Sequence, residues 1–409
     1  MREQRARNRL VCAPLAALPF ACGSAANAAD IEADPPSPHP HAIAEPVGTP
    51  GDDPLQLEIA YTADIWQAAS GGLRRGAVYL DNLDILVEAD LNRLFGWEGA
   101  TAFVYGLYNN GRSLSALTGD AQTASNIETD VRAARLYEAW LEQQLSATTS
   151  LRVGLYDLNA EFDALETSAL FVGSAHGIGT DVSQSGENGP SIFPVTSLAA
   201  RLAWDAPGGW KARAAVLDGV PGDPARLRRT AIRLGHGDGG LLIGEVEAPL
   251  PAGKLLLGYW RYTSAFDAFD GGRGRGNDGV YLRGETRLSR EPGDAEQGLA
   301  GFFRLGLADG RINMFDRFAS AGVSYTGLVP GRNEDQFGLA LAAAFTSSAY
   351  RRQTASDRSE VALELTYRMP LTGWLTVQPS LHYIVNPGAD PVIRNALAVG
   401  VRTELAVRF

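Results

Sequence analysis

The chain has 409 residues, a formal net charge of -11 and 20% charged residues, with 46 glycines against two cysteines and three methionines. No window approaches the ~18 consecutive apolar residues of a transmembrane helix. Such a composition suits soluble proteins and transmembrane barrels alike, because only one face of each barrel strand is apolar.

The N-terminus reads as a secretion signal over residues 1–28. Arg2, Arg5, Arg7 and Arg9 form a basic region, Leu10 to Ala21 an apolar core, and Ala26-Asn27-Ala28 a small-residue cleavage site. Cys12 and Cys22 both lie inside it, so the mature chain carries no cysteine and gains nothing from disulfides. Pro19 and Phe20 fit poorly before Cys22 as a lipidated residue. Residues 29–54 are proline-rich and extended, a segment that does not pack as core. His39 and His41 lie there without the surrounding ligands of a metal site, and the sequence points to no metal or cofactor.

From residue 55 to 409 one unit repeats: about ten alternating residues, then a polar or glycine-rich break. A first strand begins near residue 56. Asn82 to Leu91 places Leu83, Ile85 and Val87 on one face and Asp84, Glu88 and Asp90 on the other. Further strands are expected at Thr101–Tyr108, Arg132–Leu145, Leu151–Asp157, Thr196–Asp205, Trp210–Asp218 and Arg229–Leu234. Leu241–Ala248, Lys254–Thr263, Gly279–Leu288, Leu299–Ala308 and Phe318–Leu328 continue the series. Gln336–Thr346, Glu360–Met369, Trp374–Val385 and Leu397–Phe409 complete it.

In Gly279–Leu288 the face Tyr281, Arg283, Glu285, Arg287 carries too much charge for a dry core. It reads as the wall of a water-filled lumen. The tally is sixteen or seventeen strands, and the even number fits a transmembrane antiparallel β-barrel of sixteen, wide enough for an aqueous channel. Trp97, Trp140, Trp204, Trp210, Trp260 and Trp374 near strand ends are expected to form interfacial girdles. In the last strand Leu397, Val399, Val401, Leu405 and Val407 would face lipid while Arg402 and Glu404 face water. That strand needs partners on both sides, which a closed barrel supplies.

Residues 151–204 break the hairpin rhythm. One strand is followed by a long segment with Leu165, Leu170, Phe171 and Val172, too apolar for a free loop and expected to fold back into the pore. Asp157, Asn159 and Glu161 stand where that segment begins and are the candidates for the constriction, although Asp and Asn at a strand end also cap turns. Arg201, Arg213, Arg233, Arg283, Arg287, Arg304 and Arg402 are candidate lumen donors, and Glu245, Glu285, Glu364 and Glu404 candidate acceptors.

The stretch Gly154-Leu155-Tyr156-Asp157-Leu158-Asn159, with Glu161-Phe162, Leu170-Phe171, Ser174, Gly177-Ile178, Pro194 and Arg201, resembles the carbohydrate-selective porins of the OprB family. Glu364, Tyr367, Trp374-Leu375, Gln378-Pro379, Tyr383, Asn386-Pro387-Gly388 and Gly400-Val401-Arg402 resemble that family's closing pattern, and His382 departs from it. Tyr61 and Arg135-Leu136-Tyr137-Glu138 add weaker matches. The resemblance implies a sixteen-stranded outer-membrane porin of a Gram-negative bacterium that lets small sugars diffuse passively. Its partners would be sugar solutes, outer-membrane lipid and the assembly machinery, for which the terminal Phe409 resembles the recognition signal. A homotrimer stays open, since no interface is readable.

Two other functions are less well supported. A general diffusion porin, or one preferring anions or phosphate, is the first; the arginines suggest anions, but glutamates interleave with them. A barrel enzyme would have to use Ser174 near His176, which lack a third member. The arginine-rich glycine run Gly271–Gly276 reads as a loop between strands, and no nucleic acid is expected as a partner.

Overall fold

The computed structural model describes residues 53–292 and 296–409; the expected signal segment and the proline-rich segment up to residue 52 lie outside the described residues. Sixteen strands form one closed antiparallel barrel. In chain order they are β1 (Leu55–Gly72), β2 (Gly76–Asp90), β3 (Ala100–Asn109), β4 (Ala133–Ser146), β5 (Thr149–Tyr156) and β6 (Ser197–Asp205). Then come β7 (Lys211–Asp218), β8 (Gly240–Leu250), β9 (Gly253–Asp267), β10 (Arg273–Arg287) and β11 (Gly298–Ala308). β12 (Phe315–Thr326), β13 (Gln336–Thr346), β14 (Ser359–Thr372), β15 (Leu375–Val385) and β16 (Arg394–Arg408) finish the wall.

Closure follows from the last strand. β16 pairs with β15, placing Gln378 opposite Arg402, and with β1, placing Asp64 opposite Arg402. β16 is thus paired on both sides from Leu397 to Leu405, the condition for strands in hydrocarbon. The period-2 pattern sorts side chains as expected: Val399, Val401, Leu405 and Val407 are exposed on the outer wall, while Ala398, Arg402, Glu404 and Ala406 are buried inside. In β10, Val280 faces out and Tyr281 and Arg283 face in. Among the described residues no helix is long and apolar enough to cross a membrane; strands make the crossing.

Tight turns join β4 to β5, β8 to β9 and β14 to β15 at one end, and loops 110–132, 157–196 and 219–239 extend from the other. Short turns mark the periplasmic end and long loops the extracellular end. Trp97, Trp204, Trp210 and Trp374 are all about half exposed at periplasmic turns and strand ends, where a girdle is required.

The structure corrects three expectations. Arg229–Leu234 is not a strand but part of the β7–β8 loop; its alternating apolar residues mimic period 2, yet Ile232, Arg233 and Leu234 in a row are exposed. Trp140 and Trp260 are not girdle residues but lie inside the barrel, Trp140 stacked on Phe103 with ring centres 4.9 Å apart and Trp260 edge-on to Tyr262. The segment after β3, which the sequence reads as a polar loop through Asn126 and Asp130, folds inward as well: Leu117, Gln122, Ala124, Ser125 and Ile127 are buried.

Close packing of the inner wall depends on small residues opposite large ones. Gly258 on β9 lies directly across from Tyr281 on β10, and a Cβ there would sit 2.1 Å from the tyrosine ring. Gly258→Ala is therefore expected to destabilise the folded barrel by about 1–3 kcal/mol, an overpacking cost. A lowered temperature for loss of the heat-modifiable band on gels would show it, and an unchanged temperature would refute it.

Candidate functional site

The inward loop, residues 157–196, leaves β5 and crosses the lumen in single helical turns at Leu158–Ala160, Thr167–Leu170, Ser174–Gly177 and Thr180–Ser183. It is tied to the wall by charged pairs. Asp163, in the left-handed region at φ 55°, reaches Arg283 at 2.8 Å and Arg304 at 2.7 Å. Its own N–H donates to Glu245 at 2.9 Å, and Glu245 also accepts the Tyr281 hydroxyl at 2.6 Å. Asp181 pairs with Arg304 at 2.6 Å. All these groups are buried. Burial raises the Asp163 carboxyl, and the two guanidiniums overcome it and hold the group below its ordinary range.

Further along, the Thr167 N–H donates to Glu285 at 2.7 Å, and the Val172 and Gly173 amides donate to Glu364 at 2.7 and 2.9 Å. Gln378 donates to the Leu170 carbonyl at 2.7 Å. The second inward loop, 110–132, is held the same way: the Ala121 and Gln122 amides donate to Glu360 at 2.8 and 2.9 Å. Arg402 reaches both Asp64, at 2.8 Å, and Asn126 of this loop, at 2.7 Å. The loops join each other where Asn126 N–H donates to the Val172 carbonyl at 2.8 Å and Ser174 N–H to Thr123 at 3.0 Å.

The candidate residues separate by these contacts. Asp157 is buried, accepts from the Tyr137 hydroxyl at 2.7 Å and the Asn159 N–H at 2.8 Å, and starts the loop as a cap. Asn159 donates to the Phe162 and Asp163 carbonyls at 3.1 and 3.2 Å. Arg283 is fully enclosed by Asp163, Ser168 and the Gly177 carbonyl. Glu285 also reaches Lys254 at 3.2 Å. Arg287 sits at the periplasmic mouth, 3.9 Å from Glu296.

Glu161 and Arg201 belong to a different group. Arg201 grips Glu161 in a bidentate fork, both bonds 2.7 Å, and reaches Glu142 at 3.2 Å. Arg152 pairs with Glu142 at 2.5 Å, approaches Glu161 at 3.7 Å, and lies 3.7 Å over the Trp140 ring. Glu142, Arg152 and Arg201 stand side by side on β4, β5 and β6. Glu142 and Glu161 keep 18% of their side chains accessible and Arg152 10%. Burial raises the Glu161 carboxyl, but Arg152, Arg201 and Arg213 together bring it down to about 2. Arg213, Glu245, Arg304 and Glu364, expected in the lumen, stand on the inner wall, whereas Arg233, expected there too, is exposed in the β7–β8 loop because that segment forms no strand. Glu138, Glu142, Arg152 and Asp163 were not among the sequence candidates. Their inward position follows from the alternation, but their partners come from distant strands and loops.

No cluster of His, Cys, Asp or Glu among the described residues is placed to hold a metal ion. The Ser174 and His176 side chains share no hydrogen bond among the described residues; His176 faces Glu364 at 3.8 Å and packs on Phe171. Burial pushes His176 down to about 4, with Glu364 opposing.

A closed sixteen-stranded barrel whose charged lumen is narrowed by inward loops is a diffusion porin of the outer membrane. Residues 74–406 match the model of the family described as carbohydrate-selective porin, OprB family. Porin B of Pseudomonas aeruginosa is 25% identical over 380 residues, covering 80% of this chain and 81% of that relative. The high-pH structure of Pseudomonas putida OprB superposes with a TM-score of 0.77 at 19% identity, covering 86% of this chain and 94% of that one. Its low-pH structure gives 0.55 at 16% identity, covering 86% and 92%. The chain belongs to the OprB family of carbohydrate-selective porins, and it is a Gram-negative outer-membrane channel for passive diffusion of sugars.

Asp163→Asn removes the charge that joins Arg283 and Arg304, and breaking such a buried pair is expected to cost about 3–5 kcal/mol. The lowered urea midpoint should come with a larger, noisier single-channel conductance as the loop leaves the lumen; unchanged conductance would refute the clamp.

The acid response has a worked sign. The folded Glu161 pKa, about 2, is below its ordinary 4.5, so its stabilisation is complete above 4.5 and is lost as pH falls toward 2. His176 is depressed from 6.5 to about 4, so protonation favours the unfolded chain and stability declines from pH 6.5 down to 4. Relative to the native protein, the urea midpoint of His176→Gln should fall less between pH 6.5 and 4 and that of Glu161→Gln less between 4.5 and 2; profiles parallel to the native one would refute these contributions.

Proposed function

We propose that sugars are selected along the row Glu142, Arg152 and Glu161, with Arg213 beside it and the sealed Arg201 fixing both glutamates from behind. The observation that carries this reading is partial exposure. Asp163, Arg283 and Arg304 are sealed, whereas Glu142, Glu161, Arg152 and Arg213 keep 10–18% of their side chains open to the lumen. A carboxylate has about four lone-pair sites and a guanidinium five N–H groups, so each keeps capacity for a hydroxyl. Fixed by its neighbours, the row meets a sugar without reordering, and its spare valences bind weakly enough for release. Asp157 and Asn159 act behind it by starting the loop, and Glu285 and Arg402 by holding the loops to the wall. Arg283 anchors the loop, and Arg287 lines the exit.

Charge balance supports neutral solutes. Arg152, Arg201, Arg213, Arg283, Arg304 and Arg402 each have a carboxylate within 3.9 Å, so the lumen presents a mixed field and not an anion funnel. Diffusion down a gradient needs no catalytic group, and a channel role absorbs Ser174 and His176 as loop-packing residues. Outer-membrane lipid contacts the apolar wall, and Phe409, exposed beyond β16, serves the assembly machinery.

In planar bilayers, current block by added glucose is expected in the native protein. Glu161→Gln and Arg152→Gln should each weaken that block by about tenfold, the loss of one charged hydrogen bond. Equal block in both variants would refute the assignment. For assembly, Phe409→Ala should lower barrel insertion while leaving export intact; unchanged insertion would overturn that role.

A further inference from the structure

The barrel wall is uneven in height. β5, β6 and β7 have eight, nine and eight residues, against fourteen in β4 and fifteen in β9. Beyond Tyr156 the chain turns into the lumen, so the extracellular part of β4 above Ala139 stays paired with β3 but not with β5. The β7–β8 loop, residues 219–239, leans across this low stretch to the free side of β4. There the Thr230 hydroxyl donates to the Leu136 carbonyl at 2.8 Å, and Arg135 donates to the Leu227 carbonyl. Leu136 is exposed on the outer wall and Arg135 is buried inside it. The loop therefore sits on the wall itself, at the extracellular end of β4.

Its composition suits that place. Leu227, Ile232 and Leu234 are 40%, 58% and 71% exposed. Around them stand Arg226, Arg228, Arg229 and Arg233, all exposed. The nearby carboxylates are few. Asp223 lies 3.7 Å from Arg226 and 3.6 Å from Arg233, and Asp238 accepts the Gly235 N–H at 2.7 Å. Arg228 and Arg229 enter no ion pair among the described residues.

Exposed arginines alone would suit a solvated loop or an anion-collecting mouth. Three large apolar side chains in the same eight residues, beside a lipid-facing leucine, do not. Apolar groups that enter acyl chains next to cations at headgroup level are the pattern of an interfacial segment. Guanidinium forks match phosphate in bidentate geometry, which suits them to a phosphorylated headgroup.

We propose that the β7–β8 loop is a docking site for a phosphorylated glycolipid of the outer leaflet. Arg228 and Arg229 take the phosphate, Arg233 supports them, and Leu227, Ile232 and Leu234 lie against the acyl chains. The proposal concerns the outer wall and does not depend on which lumen residues meet sugar.

The test uses the full barrel in detergent and native mass spectrometry. The probes are diphosphoryl lipid A and the same lipid with its phosphates removed. The native protein is expected to retain diphosphoryl lipid A at least tenfold more than the dephosphorylated form. Arg228→Gln/Arg229→Gln/Arg233→Gln should lose about tenfold to a hundredfold of that retention, with glucose block and conductance unchanged. Equal retention of the two lipids by the native protein overturns the proposal without any variant. Retention unchanged in the triple variant, with altered anion selectivity of its current, overturns it in favour of solute capture. A second copy of the chain retained in place of lipid overturns it as well.

Discussion

The structure turns on one carboxylate between two guanidiniums. Arg283 and Arg304 stand directly opposite each other on β10 and β11, both fully buried. Like charges at directly opposed positions of a sheet repel, and at this burial they cannot be screened by water. Asp163 lies between them with contacts of 2.8 and 2.7 Å, and Asp181 takes the far side of Arg304. Both carboxylates come from the inward loop. The wall is thus electrostatically complete only with the loop inside the barrel, and pore width is coupled to the stability of β10 and β11. Asp163 adopts a left-handed backbone to reach that position, a conformation Asp tolerates better than most residues.

The same chemistry serves two ends, and accessibility separates them. A guanidinium enclosed by carboxylates, hydroxyls and carbonyls has used its donors and acts as a fastener. A guanidinium stacked on Trp140, with two carboxylates beside it and part of its surface open, can still offer a donor. Sugars present many weak hydrogen-bonding groups and no charge. A mixed row of fixed donors and acceptors suits them better than a field of one sign, and the fasteners behind the row keep it in place.

The barrel was legible because period 2 is a one-dimensional signal. Val280, Tyr281 and Arg283 show their faces by position alone, and the last strand shows by its own pattern that it must be paired on both sides. The inward loop was legible from the apolar Leu170-Phe171-Val172 in a place where a free loop would be polar. Alternation says nothing about partners. Arg283 and Arg304 are far from Asp163 in sequence, and nothing local distinguishes a sealed carboxylate such as Asp163 from a partly open one such as Glu161. The segment Arg229–Leu234 misleads for the same reason, since apolar residues at alternating positions mark a strand only where neighbouring strands lie alongside. The loop 110–132 has too few large apolar residues to announce burial. It enters the lumen through polar fastening to Glu360, Asp64 and Arg402, which composition does not reveal. Trp140 and Trp260 stand mid-strand in β4 and β9 on the inward face, so neither their height nor their face is that of a girdle.

That second loop changes how the constriction should be understood. Residues 110–132 and 157–196 share backbone hydrogen bonds at Asn126 and Ser174, and two glutamates on one strand, Glu360 and Glu364, accept two main-chain amides from each loop in turn. Glutamates that accept paired amides act as fixed anchor points, and the two stand four residues apart on the same face of β14. The loops therefore form one body, with β14 holding one edge while β10 and β11 hold the other through Asp163 and Asp181. A displacement of either loop strains both edges. The constriction is consequently a braced partition fixed at several strands of the wall, and the partly open row on β4 to β6 stands against a surface that does not yield.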